Sequence, residues 1–347
     1  MSRKIIALLL AALLCVCVLA GCGEKKEEAP AEPETEPQEQ SAEPEEEPVP
    51  EEPASEPEEE VPASPAVTVT DMTGREITLD EPATRVVALS AADCEVLCAL
   101  GCGDALVGRG EYCNWPEEIL EVPIVQSGSN TNIEQIIALQ PQVLLMSTMA
   151  QTEEQVKALE DAGIRVVVSD AMDIEGIYTS VGIIGELMGR EAEADTIVSD
   201  MKLNFETLKT NAAAYEGEQL KVYFEISPLE WGLWTAGTNT FYNEIAGMLN
   251  LKNVFDDVEY YGEISEEQVI ERKPDIIVTI SMYWGEGPTP VEEILSRPGW
   301  ESIPAVANQK ILNLPNDELS RPAPRLAEGA QMLYDFVYGE LIPPENE

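Results

Sequence analysis

One block of sequence occurs twice, 133 residues apart, and a single uninterrupted helix separates the copies. Glu134-Gln135-Ile136-Ile137 is followed by Pro141-Gln142-Val143-Leu144-Leu145, and Glu267-Gln268-Val269-Ile270 by Pro274-Asp275-Ile276-Ile277-Val278. Each copy predicts a short helix, a turn at proline and a buried apolar strand. Between them, residues 191–213 place Ala194, Ile197, Val198, Met201, Phe205 and Leu208 three or four apart, on one face of a helix. No Gly or Pro breaks this run, which at 1.5 Å per residue is a rod of about 33 Å. The arrangement predicts two similar αβ lobes joined by one long α-helix, with chance likeness of two αβ units as the alternative.

The flanking sequence fits that division. Residues 67–79 read as a hairpin turning at Gly74, and 85–89 as a buried strand leading into a helix from Asp93 to Leu100 that Ser90 caps. Strands and helices then alternate to residue 190 as one lobe, and from 214 to 343 as the other. Between a strand at 221–225 and a helix from Thr240 lies a loop with Trp231 and Trp234, and 260–262 reads as another loop. Alternating elements imply parallel-type sheets, whose ligands bind beyond the carboxyl ends of the strands, here in a cleft between the lobes.

The first 66 residues are of another kind. Arg3 and Lys4 precede an apolar run from Ile5 to Leu19, then Leu19-Ala20-Gly21-Cys22, so residues 1–21 read as a secretory signal. Fifteen apolar residues are short for a membrane span. Residues 24–65 contain 17 Glu and 10 Pro with two Lys, too little apolar surface to fold, so 22–66 reads as a disordered tether. The chain's net charge of −46 argues against nucleic acid and against charge-driven binding to anionic lipid.

Histidine is absent, which removes Ser-His-Asp triads and His metal sites. Carboxylates are abundant, but no spacing singles out an acid and a base, and no GxSxG, P-loop or GxGxxG occurs. A cell-surface enzyme is therefore an alternative without a positive signal. Cys94, Cys98 and Cys102 stand four apart, with Cys113 soon after. They read as a thiolate metal site or sensor, as a Cys102–Cys113 disulfide, or as small residues packed under a helix. The lack of CxxC or His spacing favours packing, with no metal site.

The predicted strand-end loops hold Tyr112, Trp115, Trp231, Trp234, Tyr261, Tyr283 and Trp284, and aromatic planes lining a cleft suit a large flat ligand. Arg109 and Arg321 are the cationic candidates for a carboxylate or catecholate. Here a resemblance covers nearly the whole folded chain. DMTGREITL, RVVALSAADCEVLCALG, NIEQIIALQPQVLLM, FYNEIAGMLNLKNVF, ISEEQVIERKPDIIV and RPGWESIPAVANQKI follow in the order found in the substrate-binding proteins of ABC importers for iron-siderophores, haem and vitamin B12.

That resemblance implies two lobes bridged by one helix, and docking on a permease with its ATPase subunits through one Glu per lobe, here Glu134 and Glu267. It also implies a metal chelate (ferric siderophore, corrinoid or haem) as transported ligand. Leu19-Ala20-Gly21-Cys22 resembles a lipobox, implying lipid on Cys22 and retention at the extracytoplasmic face of the cell membrane. GEYCNWP is similar to the ligand loop of vitamin B12-binding members, with Tyr112 and Tyr261 at their ligand-facing aromatic positions and Ser147 where they place a further Trp. With no His, haem would need Tyr or Met ligation, which Tyr112 or Tyr283 could supply.

Overall fold

The computed structural model describes residues 66–128, 131–147, 152–283, 285–314 and 317–341. Cys22, the tether and Trp284 lie outside the described residues. The hairpin forms as expected, β1 (Val67–Thr70) against β2 (Glu76–Leu79), with Gly74 in the left-handed region at φ 84°. Five parallel strands follow: β3 (Val86–Ala88), β4 (Leu106–Gly110), β5 (Ile124–Val125), β6 (Val143–Met146) and β7 (Arg165–Val168), in the order β5-β4-β3-β6-β7. Helices α1 (Ala91–Ala99), α2 (Ile133–Leu139), α3 (Glu153–Asp161) and α4 (Ile174–Met188) cover the sheet. Ser90 occupies the cap position of α1 without a side-chain hydrogen bond, a difference from expectation.

The rod is α5 (Glu191–Ala212), 22 residues long. Gly189 ends α4 at φ 63°, and Gly185 lets the two helices touch, because a Cβ there would lie 2.5 Å from that of Ala194. Ala194, Met201, Phe205 and Leu208 are buried, whereas Ile197 and Val198 are half-buried. Burying Phe205 alone contributes roughly 1.5–3 kcal/mol.

The second sheet runs β11-β9-β8-β12-β13, with β10 also on β8. Its strands are β8 (Lys221–Ser227), β9 (Trp234–Ala236), β10 (Lys252–Asn253), β11 (Tyr261–Glu263), β12 (Ile276–Thr279) and β13 (Ile311–Asn313). Helices α6 (Phe241–Met248), α7 (Glu266–Arg272), α8 (Pro290–Ser296), α9 (Pro304–Ala307) and α10 (Leu326–Tyr338) complete the lobe, and α10 packs along α5. The segments 234–236 and 261–263, expected as loops, are strands that extend the sheet antiparallel. Three residues are too few for an alternating pattern to register, so pairing decides their conformation, β9 on β8 and β11 on β9.

The repeat holds position by position. Asn132 and Ser265 cap α2 and α7, accepting from the Gln135 and Gln268 amides, and Ile136 and Val269 are both fully buried. Gln140 and Lys273 end the helices in the left-handed region at φ 50° and 51°, since the following proline closes the right-handed helical region to them. Strands β6 and β12 then begin at the same offset, every residue buried.

Alternation along the strands sorts the core. Val87, Leu144 and Val166 face an outer cluster of the first lobe, and Tyr223, Ile277 and Trp300 one of the second. Their neighbours Val86, Ala88, Leu145, Val222, Phe224 and Val278 join Met201 and Phe205 of α5 in one cluster crossing both lobes.

Candidate ligand cleft

Strand β4 runs straight into residues 111–121, and this loop is held from behind. Arg109 Nη1 donates to the Cys113 carbonyl at 2.7 Å and Nη2 to that of Leu120 at 3.1 Å, and the residue is only 5% exposed. Arg109, expected as a cation for the ligand, is instead the clamp of the aromatic loop. Its guanidinium fork matches two carbonyls that the turning chain leaves unpaired. Gly110 is required here, since a Cβ would lie 2.3 Å from the Leu89 carbonyl oxygen.

What the clamp presents is aromatic. Tyr112 and Trp231 are each 74% exposed, and Trp115, Trp234 and Tyr283 are also exposed. Trp231 and Trp234 lie at the start of the β9 hairpin, and Tyr261 stands on β11 opposite Ala236, edge-on to Tyr242 at 6.4 Å. Burial, then the neighbouring Asp170 charge, push the Tyr261 hydroxyl up to about 12. The Tyr283 hydroxyl donates to the Gly287 carbonyl at 3.4 Å.

Two arginines of the 317–325 segment reach across to the first lobe. Arg321 donates through Nη1 to Glu95 Oε1 at 2.8 Å and through Nη2 to the Tyr112 carbonyl at 3.2 Å, and it pairs with Asp317. Arg325 donates to both Glu95 oxygens, at 2.9 and 2.8 Å, and to Glu318 at 3.2 Å. Its guanidinium also lies 4.4 Å over the Trp115 ring. Arg321, the other expected cation, thus forms part of a pin between the lobes. Glu95 and Arg325 escaped the sequence reading. Arg325 stands four residues after Arg321, but nothing local marks Glu95 in so acidic a chain. Two more bonds join the lobes, the Phe241 amide donating to the Met172 carbonyl and the Ile174 amide to Glu244.

Below the cleft, Asp93 accepts a short hydrogen bond from the Ser169 hydroxyl, and its other oxygen is buried without a partner. Burial raises its carboxyl to about 7. Cys94, Cys98, Cys102 and Cys113 are free thiols, so the Cys102–Cys113 disulfide does not form. Helix α1 ends at Ala99, so Cys102 leaves the helical face and bonds the Leu100 carbonyl. Cys113 lies instead against Cys94, and both thiols approach the Ala88 carbonyl, at 3.9 and 3.8 Å. The Cys113 thiol and burial together push Cys94 well above the usual thiol range. Among the described residues no group of three or more Cys, Asp or Glu side chains could hold a metal ion.

Glu134 and Glu267 occupy the second positions of α2 and α7, and both are exposed. The backbone amide of Glu267 and the Ser265 hydroxyl hold the Glu267 carboxyl below its usual range.

Two αβ lobes on one rod, with open aromatics at the strand ends, define a bilobal ligand-binding protein. The chain belongs to the periplasmic binding protein family, whose profile matches residues 86–318. It is 32% identical over 276 residues to the ABC transporter substrate-binding lipoprotein YvrC of Bacillus subtilis, covering 78% of this chain and 85% of that one. The vitamin B12-binding protein of Vibrio cholerae is 23% identical over 257 residues, covering 74% and 90%. Among solved structures, a possible iron-binding (periplasmic solute-binding) protein of Staphylococcus epidermidis superposes with a TM-score of 0.62 at 30% identity, over 74% of this chain and all of that one.

Proposed function

We propose that this protein is the extracytoplasmic substrate-binding component of an ABC importer, taking a metal chelate with a flat apolar face between its two lobes. The observation that carries the reading is the set of unshielded aromatics on loops of both lobes, led by Tyr112 and Trp231. Single exposed apolar side chains are ordinary, but a group of large exposed aromatics marks a surface that a ligand or partner covers. In this reading Tyr112, Trp115 and Tyr283 with Trp231, Trp234 and Tyr261 form the walls, and the ligand is a corrinoid, a ferric siderophore or haem. No residue acts as a catalyst. Lipid on Cys22 would hold the protein at the membrane, with 24–65 as its leash.

The test is a tryptophan-fluorescence titration of the full chain with cyanocobalamin, a ferric hydroxamate, a ferric catecholate and haemin, corrected for ligand absorbance. One of them is expected to quench saturably, and Tyr112→Ala or Trp231→Ala to weaken it about tenfold, the equivalent of 1.4 kcal/mol. No saturable response to any of the four would defeat the reading.

Glu134 and Glu267 are the proposed contacts with the permease. Their exposure, and their equivalence across the repeat, support two-point docking. The paired change Glu134→Lys with Glu267→Lys is expected to abolish stimulation of the importer's ATPase in proteoliposomes while chelate affinity stays within twofold. Stimulation that survives the change would rule these positions out.

A further inference from the structure

Resting on the cleft reading above, we infer that Glu95 sets the charge of the ligand. By holding both arginines of the cleft it turns the site towards neutral or cationic chelates and away from polyanionic ones.

The described strand-end segments 109–121, 169–173, 228–236, 259–263, 281–283, 285–289 and 317–325 together contain twelve Asp or Glu, three Arg and no Lys. All three arginines are committed. Arg109 is turned away behind its loop on two carbonyls. Arg321 and Arg325 converge on the single carboxylate of Glu95, whose side chain is 2% exposed, and they donate further to the Tyr112 carbonyl, Asp317 and Glu318. A guanidinium binds a carboxylate or catecholate through a free pair of parallel N–H groups, and these have been used. With Glu95, Asp317 and Glu318 set against two guanidinium groups, the pin itself carries a net negative charge.

The field over the opening therefore repels the propionates of haem and the multiple negative charges of ferric catecholates. Aromatic faces accept a neutral ring or a cation equally well. The structure thus assigns the cleft to neutral corrinoids and to neutral or cationic hydroxamate chelates.

The experiment uses the full chain and four probes: cyanocobalamin (neutral), ferrioxamine B (cationic), a ferric catecholate and haemin (both anionic). Binding is measured at low and high salt, for the wild type and for Glu95→Gln. Wild-type protein is expected to bind a neutral or cationic probe best, any binding of ferrioxamine B weakening as salt rises. Glu95→Gln frees donors on both arginines, and the affinity for the anionic probes relative to cyanocobalamin or ferrioxamine B is expected to rise at least tenfold. If that variant does not fold, Glu318→Gln, which releases only Arg325, is expected to shift the ratio the same way by a smaller factor.

Tightest wild-type binding to an anionic probe, or a charge preference unmoved in the folded variants, would overturn the inference and leave the cleft reading intact. Failure of all four probes to bind would remove the cleft reading, and this inference with it.

Discussion

Replacing Arg297 by methionine is expected to cost about 3–5 kcal/mol of folding free energy, the usual result of stranding one member of a buried ion pair. Arg297 is 4% exposed and Glu225 1%. They meet through two bonds, Nη1 to Oε2 at 2.6 Å and Nη2 to Oε1 at 2.9 Å, with Glu293 on the same guanidinium and the Trp300 ring 4.4 Å below it. Burial works against the Arg297 cation, but the bonds from Glu225 and Glu293 outweigh it and hold the group above its ordinary value. Methionine fills similar volume yet leaves the Glu225 carboxylate in the second lobe's interior, its one other hydrogen-bond partner among the described residues being the Tyr223 hydroxyl at 3.4 Å. The double change Glu225→Gln with Arg297→Met is expected to recover most of the loss, because no charge is then stranded. Urea unfolding of the parent, both single variants and the double variant measures this. A single-variant cost below about 1 kcal/mol would show that the pair does not hold the lobe.

The second large effect lies at Asp93 and depends on pH. Its folded-state value of about 7 stands above the ordinary 3.8 because burial penalises the charged form. A raised acid binds its proton more tightly in the folded state than in the unfolded one. Its contribution is therefore fully present below about pH 4 and lost as pH rises through 7. At about 1.4 kcal/mol per unit, the loss is on the order of 4 kcal/mol. Asp93→Asn keeps the shape and the acceptor for Ser169 but removes the titration. The stability of this variant relative to the parent is expected to climb by about 3–4 kcal/mol between pH 4 and pH 8. Taking the difference cancels the other carboxylates. A difference that stays flat across that range would mean that Asp93 titrates normally.

Local signals made part of this architecture legible in advance. The rod declares itself because a helix buries every third or fourth residue, and nothing in 191–213 breaks it. The repeat survives into three dimensions because its parts are short-range, comprising a cap, a first-turn Glu, one buried aliphatic and a closing proline. Strands β9 and β11 were not legible, since each is three residues long and exists only through register with a distant partner. At the cleft, residue type pointed to the aromatic loops. It did not decide which way Arg109 turns, because that depends on the carbonyls offered by the loop behind it. Glu95 was invisible for a plainer reason, since its partner Arg321 is 226 residues away.

The apolar cluster shared by both sheets and α5 also limits how this molecule can move. Swinging the lobes wide apart would tear that cluster open, and each 100 Å² wetted costs roughly 2.5 kcal/mol. The Met172–Phe241 and Ile174–Glu244 bonds between the lobes would break as well. Thermal excursions are thereby confined to shallow flexing, as in a stiff clip. In the proposed import role, a cargo gripped in such a clip would leave when the jaws are strained from outside, so unloading would belong to whatever grasps the two ends.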